Sequence, residues 1–284
     1  MINYHQNMDK IRDKIKNCDA IVIGAGAGLS TSAGITYSGD RFEKNFEDFI
    51  QKYKIEDMYS AAFNFMHYKD LRVKWAYFSR HIKLNRYDEI PKDTYKKLLK
   101  LIEDKDYFVI TTNADHSFIK SGFDKEKIFY TQGDYGLFQC SVPCHEKTYD
   151  NYDIVMKMCE TQEDMKIPEK LIPKCPRCGE DMQVNLRIDS TFVEDEGWHK
   201  ASKRYVDFIQ ENNMKNIVYL ELGVGYNTPG IIKYPFMRYT LDNKNATYIN
   251  INYNQASTIE EIRDRSIVIN SDIDKVLKDI SEIN

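Results

Sequence analysis

The sequence reads as an α/β protein with a mostly parallel sheet, and three features point there. Apolar, β-rich runs at 19–23, 107–111, 217–222, 247–251 and 266–269 alternate with stretches of helical periodicity, as strands joined by crossover helices do. The first run breaks into a glycine-rich turn, IVIGAGAGLSTSAG at residues 21–34, which has the form of a strand-to-helix turn that holds a phosphate. Two close cysteine pairs fall within 140–185, an interval with little periodicity of its own. Together these predict a Rossmann-like domain from 1–36, 88–138 and 190–284. A smaller domain follows from a helical lobe at 37–87 and a four-cysteine zinc module at 139–189.

Each element has a local reason. The first 17 residues carry a helical pattern that leads into strand 19–23. Residues 35–45, ITYSGDRFEKN, read as a polar loop with aromatics. Between 46 and 87, Phe63, Met66, Tyr68, Leu71, Trp75 and Phe78 recur at roughly helical spacing, which buries one face of a lobe. Residues 93–103 form an amphipathic helix, and YFVIT at 107–111 a buried strand that ends in TTNADHS. Doubly wound sheets collect their sites at such carboxyl ends. A short strand at 128–131 precedes QGDYGLFQC, and helices return at 201–212 and 272–280.

Composition excludes several classes. A net charge of −4 without a basic stripe gives no footprint for nucleic acid. No run approaches the ~20 apolar residues that span a bilayer, and the mixed-charge start is neither signal peptide nor anchor, so a cytoplasmic protein without membrane contact is expected. The 20 tyrosines fit either an aromatic pocket or interface, or a core that uses Tyr in place of Leu.

In the glycine turn, Gly24, Ala25, Gly26 and Gly28 bring the backbone close to a ligand, and Ser30, Thr31 and Ser32 offer hydroxyls beside a helix start. The fingerprint G-x-G-x-x-G is not met, because its third glycine falls on Leu29. By itself the turn fits either a nucleotide or a tight connection with no ligand.

In the reducing cytoplasm the six cysteines are read by spacing. Cys140-x3-Cys144 and Cys175-x2-Cys178 bring four thiolates to one tetrahedral zinc, and full occupation by sulfur leaves no open position for substrate. That makes the zinc structural; the alternative is two unrelated pairs of buried thiols. Cys18 and Cys159 lack a partner at ligand spacing. His145, beside Cys144, is a rival ligand that fits less well than Cys140 and Cys144.

At TTNADHSFIKSG the chain also resembles the sirtuin family, through Thr-x-Asn-x-Asp at a strand end followed by Ser121-Gly122. GAGAGLSTSAG is similar to the sirtuin phosphate loop, with Leu29-Ser30 where a third glycine would stand. The resemblance implies that NAD is bound and cleaved at its nicotinamide–ribose bond. It implies that Asn113 holds the nicotinamide ribose, that Asp115 holds the carboxamide, that Gly223 and Gly225 in LELGVGYN admit the adenosine side, and that Asn250 or Asn252 meets the adenosine ribose. Asn252, nearer the strand's carboxyl end, is favoured.

Departures from the family pattern narrow the chemistry. Deacylating sirtuins have His-Gly where this chain has Gln132-Gly133. A glutamine amide has no pKa near 7 and cannot act as the general base that deacylation needs, but it can hydrogen-bond a ribose. Pro-Asp-Phe-Arg is replaced by ITYSGDRF, with Tyr37, Asp40 and Arg41 in its place, of which the resemblance implies Asp40 and Arg41 as cofactor-binding residues, and NLRIDSTFVEDEGWHK follows the knuckle. These changes resemble the class M, macrodomain-linked microbial sirtuins, which are protein ADP-ribosyltransferases. The resemblance implies Asn113, Gln132 and Arg187 as the catalytic set, a lipoylated carrier protein as acceptor, and a macrodomain protein as functional partner. The rival expectations are an NAD-dependent deacylase with another base, for which His116, His145 and His199 are candidates, and a nucleotide-sensing module that leaves NAD intact.

Overall fold

The computed structural model describes residues 4–88 and 92–282. The chain forms two compact units, Met1–Gly34, Ile90–Gln132 and Gly197–Asn284 in the first, Ile35–Glu89 and Gly133–Glu196 in the second. Strands run in chain order as β1 (Ala20–Ala25), β2 (Asp106–Thr111), β3 (Ile128–Tyr130), β4 (Gly133–Cys140), β5 (Tyr149–Asp150), β6 (Met182–Leu186), β7 (Ile217–Leu222), β8 (Thr247–Asn252) and β9 (Ser266–Asn270).

In the first unit six strands pair in the order β3-β2-β1-β7-β8-β9, every pair parallel. Both faces are covered, which is why these strands read as continuous apolar runs and not as alternating ones. Ile21 and Ile23 of β1 turn to one face, with Met8, Ile11 and Ile15 of helix Tyr4–Asn17, Leu98 and Ile102 of helix Thr94–Ile102, and Val276 and Ile280 of helix Ile273–Glu282. Ala20 and Val22 turn to the other, with Tyr205 of helix Glu196–Asn212 and Phe236 and Met237 of helix Lys233–Asp242. The sequence reading had no helix at 233–242, where Pro235 and a glycine-rich approach obscure the periodicity.

Strand order reverses between β1 and β7, since the chain moves outward to β2 and β3 on one side and to β8 and β9 on the other. That reversal is where open α/β sheets hold ligands, outside the carboxyl ends of the strands.

The second unit packs helices Asp40–Tyr53, Met58–Met66, Leu71–Ile82 and Tyr152–Thr161 with an antiparallel sheet in the order β5-β4-β6. Two expectations are corrected here. Residues 40–45 are helical and not loop, with Asp40 and Glu43 in the first turn, where acidic side chains complement the helix dipole. The interval 140–185 holds a ten-residue helix, the strand β5 and most of β6, and QGDYGLFQC is mostly β4. Because β4 pairs with β6 from Gly133 onward, residues 133–138 go with the cysteine module, ahead of the expected boundary at 139.

Tyrosine fills the core. Tyr77, Tyr95, Tyr219 and Tyr248 are among the largest fully buried side chains, and Tyr77 stacks on Phe65 with ring centroids 4.5 Å apart. His81 is buried beside Tyr77 and Tyr135, and burial, aided by the Arg41 charge, lowers its pKa from 6.5 to about 3. The folded protein therefore keeps His81 neutral, while below pH 6.5 the unfolded chain takes up a proton there. Stability is full above that pH and is expected to fall by about 2 kcal/mol between pH 6.5 and 5 from this group. Urea unfolding across that range measures it, and a slope that His81→Gln leaves unchanged would refute the assignment.

Among the described residues no helix is long and apolar enough to cross a membrane.

Candidate active site

Five parallel strands of the first unit deliver the candidate residues to one edge. Gly26 follows β1, Asn113 and Asp115 follow β2, Gln132 follows β3, Gly223 follows β7, and Asn252 ends β8. At the point of reversal two turns touch through their backbones. Gly28 N donates to Gly223 O at 3.0 Å, and Gly26 N donates to Leu222 O at 3.0 Å. A Cβ on Gly28 would lie 2.7 Å from Gly223 Cα, and one on Gly223, whose φ is +64°, 2.5 Å from Leu29 N. The glycines are thus required by the contact of turn with turn.

This changes the reading of several residues. Gly24 lies within β1, and a Cβ there would meet Ile232 at 2.3 Å and Phe236 at 2.6 Å, so helix packing is its reason. Ala25 is wholly buried, and its carbonyl accepts from Thr112 N and Thr111 Oγ1. Leu29 is a core residue whose N–H goes to Gly26 O. None of these three side-chain positions faces outward. Gly225 does have space, with only Gln255 Oε1 near, at 3.7 Å.

Ser30 is the hub of the site. Its hydroxyl donates to Asp115 Oδ2 at 2.5 Å and accepts from Tyr95 Oη at 2.8 Å and Asn113 Nδ2 at 3.1 Å. Burial, reinforced by the Asp115 carboxylate, raises the Tyr95 pKa well above the ordinary value, so the phenol remains a donor. Asp115 Oδ1 accepts from Ser117 N at 2.9 Å. Asn113 commits its second Nδ2 hydrogen to Gly26 O at 3.0 Å. The opposite amide orientation would set oxygen against oxygen, so Oδ1 is the atom left to accept from a ligand. Tyr95 was not singled out in the sequence, since at the start of an amphipathic helix it reads as core.

Gln132 sits in the turn between β3 and β4. Thr131 before it is clamped, with N and Oγ1 donating to Thr111 O at 3.0 Å and its carbonyl accepting from Trp198 Nε1 at 3.3 Å. Gly133 after it has φ +93°, and a Cβ there would lie 2.0 Å from Asn185 O. The Gln132 backbone is thereby fixed, while among the described residues its half-buried amide makes no hydrogen bond.

The two asparagines of β8 differ. Asn252 Nδ2 donates to Val224 O at 2.9 Å, at the edge that carries the site. Asn250 is wholly buried and donates to Tyr248 Oη and Ser257 O, both at 3.0 Å, while its Oδ1 accepts nothing among the described residues.

The remaining candidates belong to the second unit. Asp40 is exposed at the start of its helix. Arg41 donates to Thr36 O, Asn85 Oδ1 and Leu84 O at 2.7–2.9 Å, bracing the π-helical turn Lys83–Tyr87, so lobe structure accounts for it. Arg187 pairs with Glu194 and lies over the Phe192 ring, 4.3 Å from its centroid. Of the candidate bases, His116 stacks on Tyr130 with centroids 4.3 Å apart, His145 Nε2 meets Tyr149 Oη at 2.7 Å, and His199 lies edge-on to Trp198.

Cys140, Cys144, Cys175 and Cys178 place their sulfurs within 4.8 Å of one another. The Cys140–Cys178 and Cys144–Cys175 separations, 3.6 and 3.7 Å, match the about 3.8 Å edge of a tetrahedron with Zn–S near 2.3 Å. The four thiols fit structural zinc, and His145 is not among the group.

The sheet order, the paired glycine turns and the cysteine module define the sirtuin fold. Solved sirtuins superpose on nearly all of the chain. A sirtuin analysed for the structural basis of its substrate affinity matches with TM-score 0.60 at 18% identity, over 97% of this chain and 98% of that one. Sir2 in complex with a p53 peptide and NAD+ matches with TM-score 0.59 at 18% identity, over 97% of each chain. Among curated proteins, a protein ADP-ribosyltransferase of Staphylococcus aureus is 42% identical over 268 residues, 94% of this chain and 84% of that protein. A probable bifunctional ADP-ribose hydrolase/ADP-ribosyltransferase of Fusarium oxysporum is 34% identical over 238 residues, 79% of this chain and 38% of that protein. The chain belongs to the protein ADP-ribosyltransferases built on the sirtuin fold. No family model matches it.

Proposed function

We propose that this enzyme consumes NAD, breaking the bond between nicotinamide and ribose and transferring ADP-ribose to a protein side chain. As the bond breaks, nicotinamide leaves with the bonding pair, which neutralises its ring charge, and positive charge gathers on the ribose. An acceptor lone pair then forms the new bond to the same carbon and the acceptor loses its proton. Asn113 Oδ1 accepts from a ribose hydroxyl, Asp115 meets the carboxamide, and Gln132 hydrogen-bonds the ribose and orients it for attack. Arg187 turns its planar guanidinium to phosphate or to an acceptor carboxylate. Gly223, Gly225 and Asn252 receive the adenosine side.

The observation that carries this reading is Gln132 itself. Its backbone is held on both sides and its amide makes no bond within the described protein, at the edge that also bears Asn113. Transfer needs placement, which an amide supplies, whereas collapse of an acyl intermediate needs a base, which it does not.

The acceptor we propose is a lipoylated carrier protein, with a macrodomain protein as functional partner and the cytoplasm as the place of action. A reducing compartment keeps the four thiols available to zinc. Labelled NAD offered with lipoylated and unlipoylated carrier side by side tests the acceptor. Label on the lipoylated form alone is expected, and equal labelling of both would refute the choice.

A further inference from the structure

The Lys233–Glu221 ion pair is shut wholly inside the first unit. Both side chains are 0% exposed, with Nζ 2.5 Å from Oε1. A buried ion pair often contributes no more to stability than apolar residues of equal volume. Lys233 also opens helix Lys233–Asp242, the end at which the backbone dipole disfavours a cation. General stability therefore does not explain the pair, but its position does. Glu221 stands just before, and Lys233 just after, the loop 223–232, so the pair joins the two ends of that loop.

A second set of contacts fixes the loop laterally. Tyr248 donates to Glu221 Oε2 at 2.6 Å, and Asn250 Nδ2 donates both to Tyr248 Oη and to Ser257 O at 3.0 Å. At the surface the Tyr226 and Ser257 hydroxyls meet at 2.8 Å, and Lys233 Nζ lies 5.2 Å from the Tyr226 ring centroid. The loop after β7 and the segment after β8 are thus tied together once in the interior and once at the surface. Tyr226 is nevertheless 53% exposed, so its ring is held in place and open to solvent.

We propose that Lys233 and Glu221 are positioning residues for the adenosine half of NAD, setting the loop 223–232 so that Gly225 and Tyr226 present one fixed surface to it. This rests on the NAD-consuming reading above. The test uses full-length protein and two variants. Glu221→Gln combined with Lys233→Met removes both charges without leaving one ion unpaired, and Ser257→Ala removes only the surface tie to Tyr226 while leaving the Tyr226 ring in place, so it carries the test if the first fails to fold. In each variant the Kd for ADP and the KM for NAD are expected to rise on the order of tenfold, with kcat within about twofold of wild type. Unchanged ADP affinity in both variants, or lower kcat at unchanged KM, overturns the inference. Wild-type protein that neither binds ADP nor consumes NAD overturns the functional reading, and the inference with it.

Discussion

Asn113→Ala is expected to lower ADP-ribose transfer by roughly 10²- to 10³-fold, the range seen when a positioned polar group is removed from a site of developing charge. The substitution deletes the acceptor that faces the ligand. It also deletes both donors that hold Gly26 O and Ser30 Oγ, so the glycine turn and the Ser30–Asp115 contact lose a brace together. Each partner left unsatisfied in a largely buried site costs about 1–3 kcal/mol, and of the two freed here Ser30 Oγ keeps Tyr95 and Asp115 as partners. Transfer assayed on folded variant protein decides the matter. Activity within a fewfold of wild type would remove Asn113 from the reaction.

The other large effect is on folding. Zinc held by four thiolates stabilises small modules by about 10–16 kcal/mol in apparent terms, and the cysteine-bearing loops 141–148 and 174–181 bury almost no apolar side chain of their own. Chelation, or Cys175→Ser, is expected to speed amide exchange in the loops 141–148 and 174–181 and in the strands β4 and β6 that they adjoin, while β1, β2, β7 and β8 stay protected. Metal analysis should return one zinc per chain. Exchange rates that do not respond to chelator would show that the sulfurs lie close without a structural ion.

Much of this was legible in the sequence, for identifiable reasons. β7 is IVYLEL, buried on both faces, and its bounds follow from that apolar run; β1 and β8 extend only slightly beyond theirs. The cysteine quartet was legible because thiolate spacing reports a metal whatever the surrounding structure. The segment between the pairs was not, since a zinc-held module has no need of strong periodicity, and so β5 and helix Tyr152–Thr161 went unread. Glycine is ambiguous at Gly24. Its pattern records close approach, but in a sequence nothing separates approach by a ligand from approach by Ile232 and Phe236. Tyr95 and Glu221 were missed for the opposite reason, as polar groups buried in elements that otherwise read as core, and Lys233 because its helix left no periodic signal.

One measurement tests the central claim most directly. Wild-type protein and Gln132→Ala are incubated with NAD labelled in its adenosine half, together with an acceptor protein, and nicotinamide release is followed alongside protein-bound label. Wild type should yield one protein-bound ADP-ribose per nicotinamide released, and Gln132→Ala should lose transfer. Nicotinamide release with no label on protein, or full transfer by Gln132→Ala, would contradict the account.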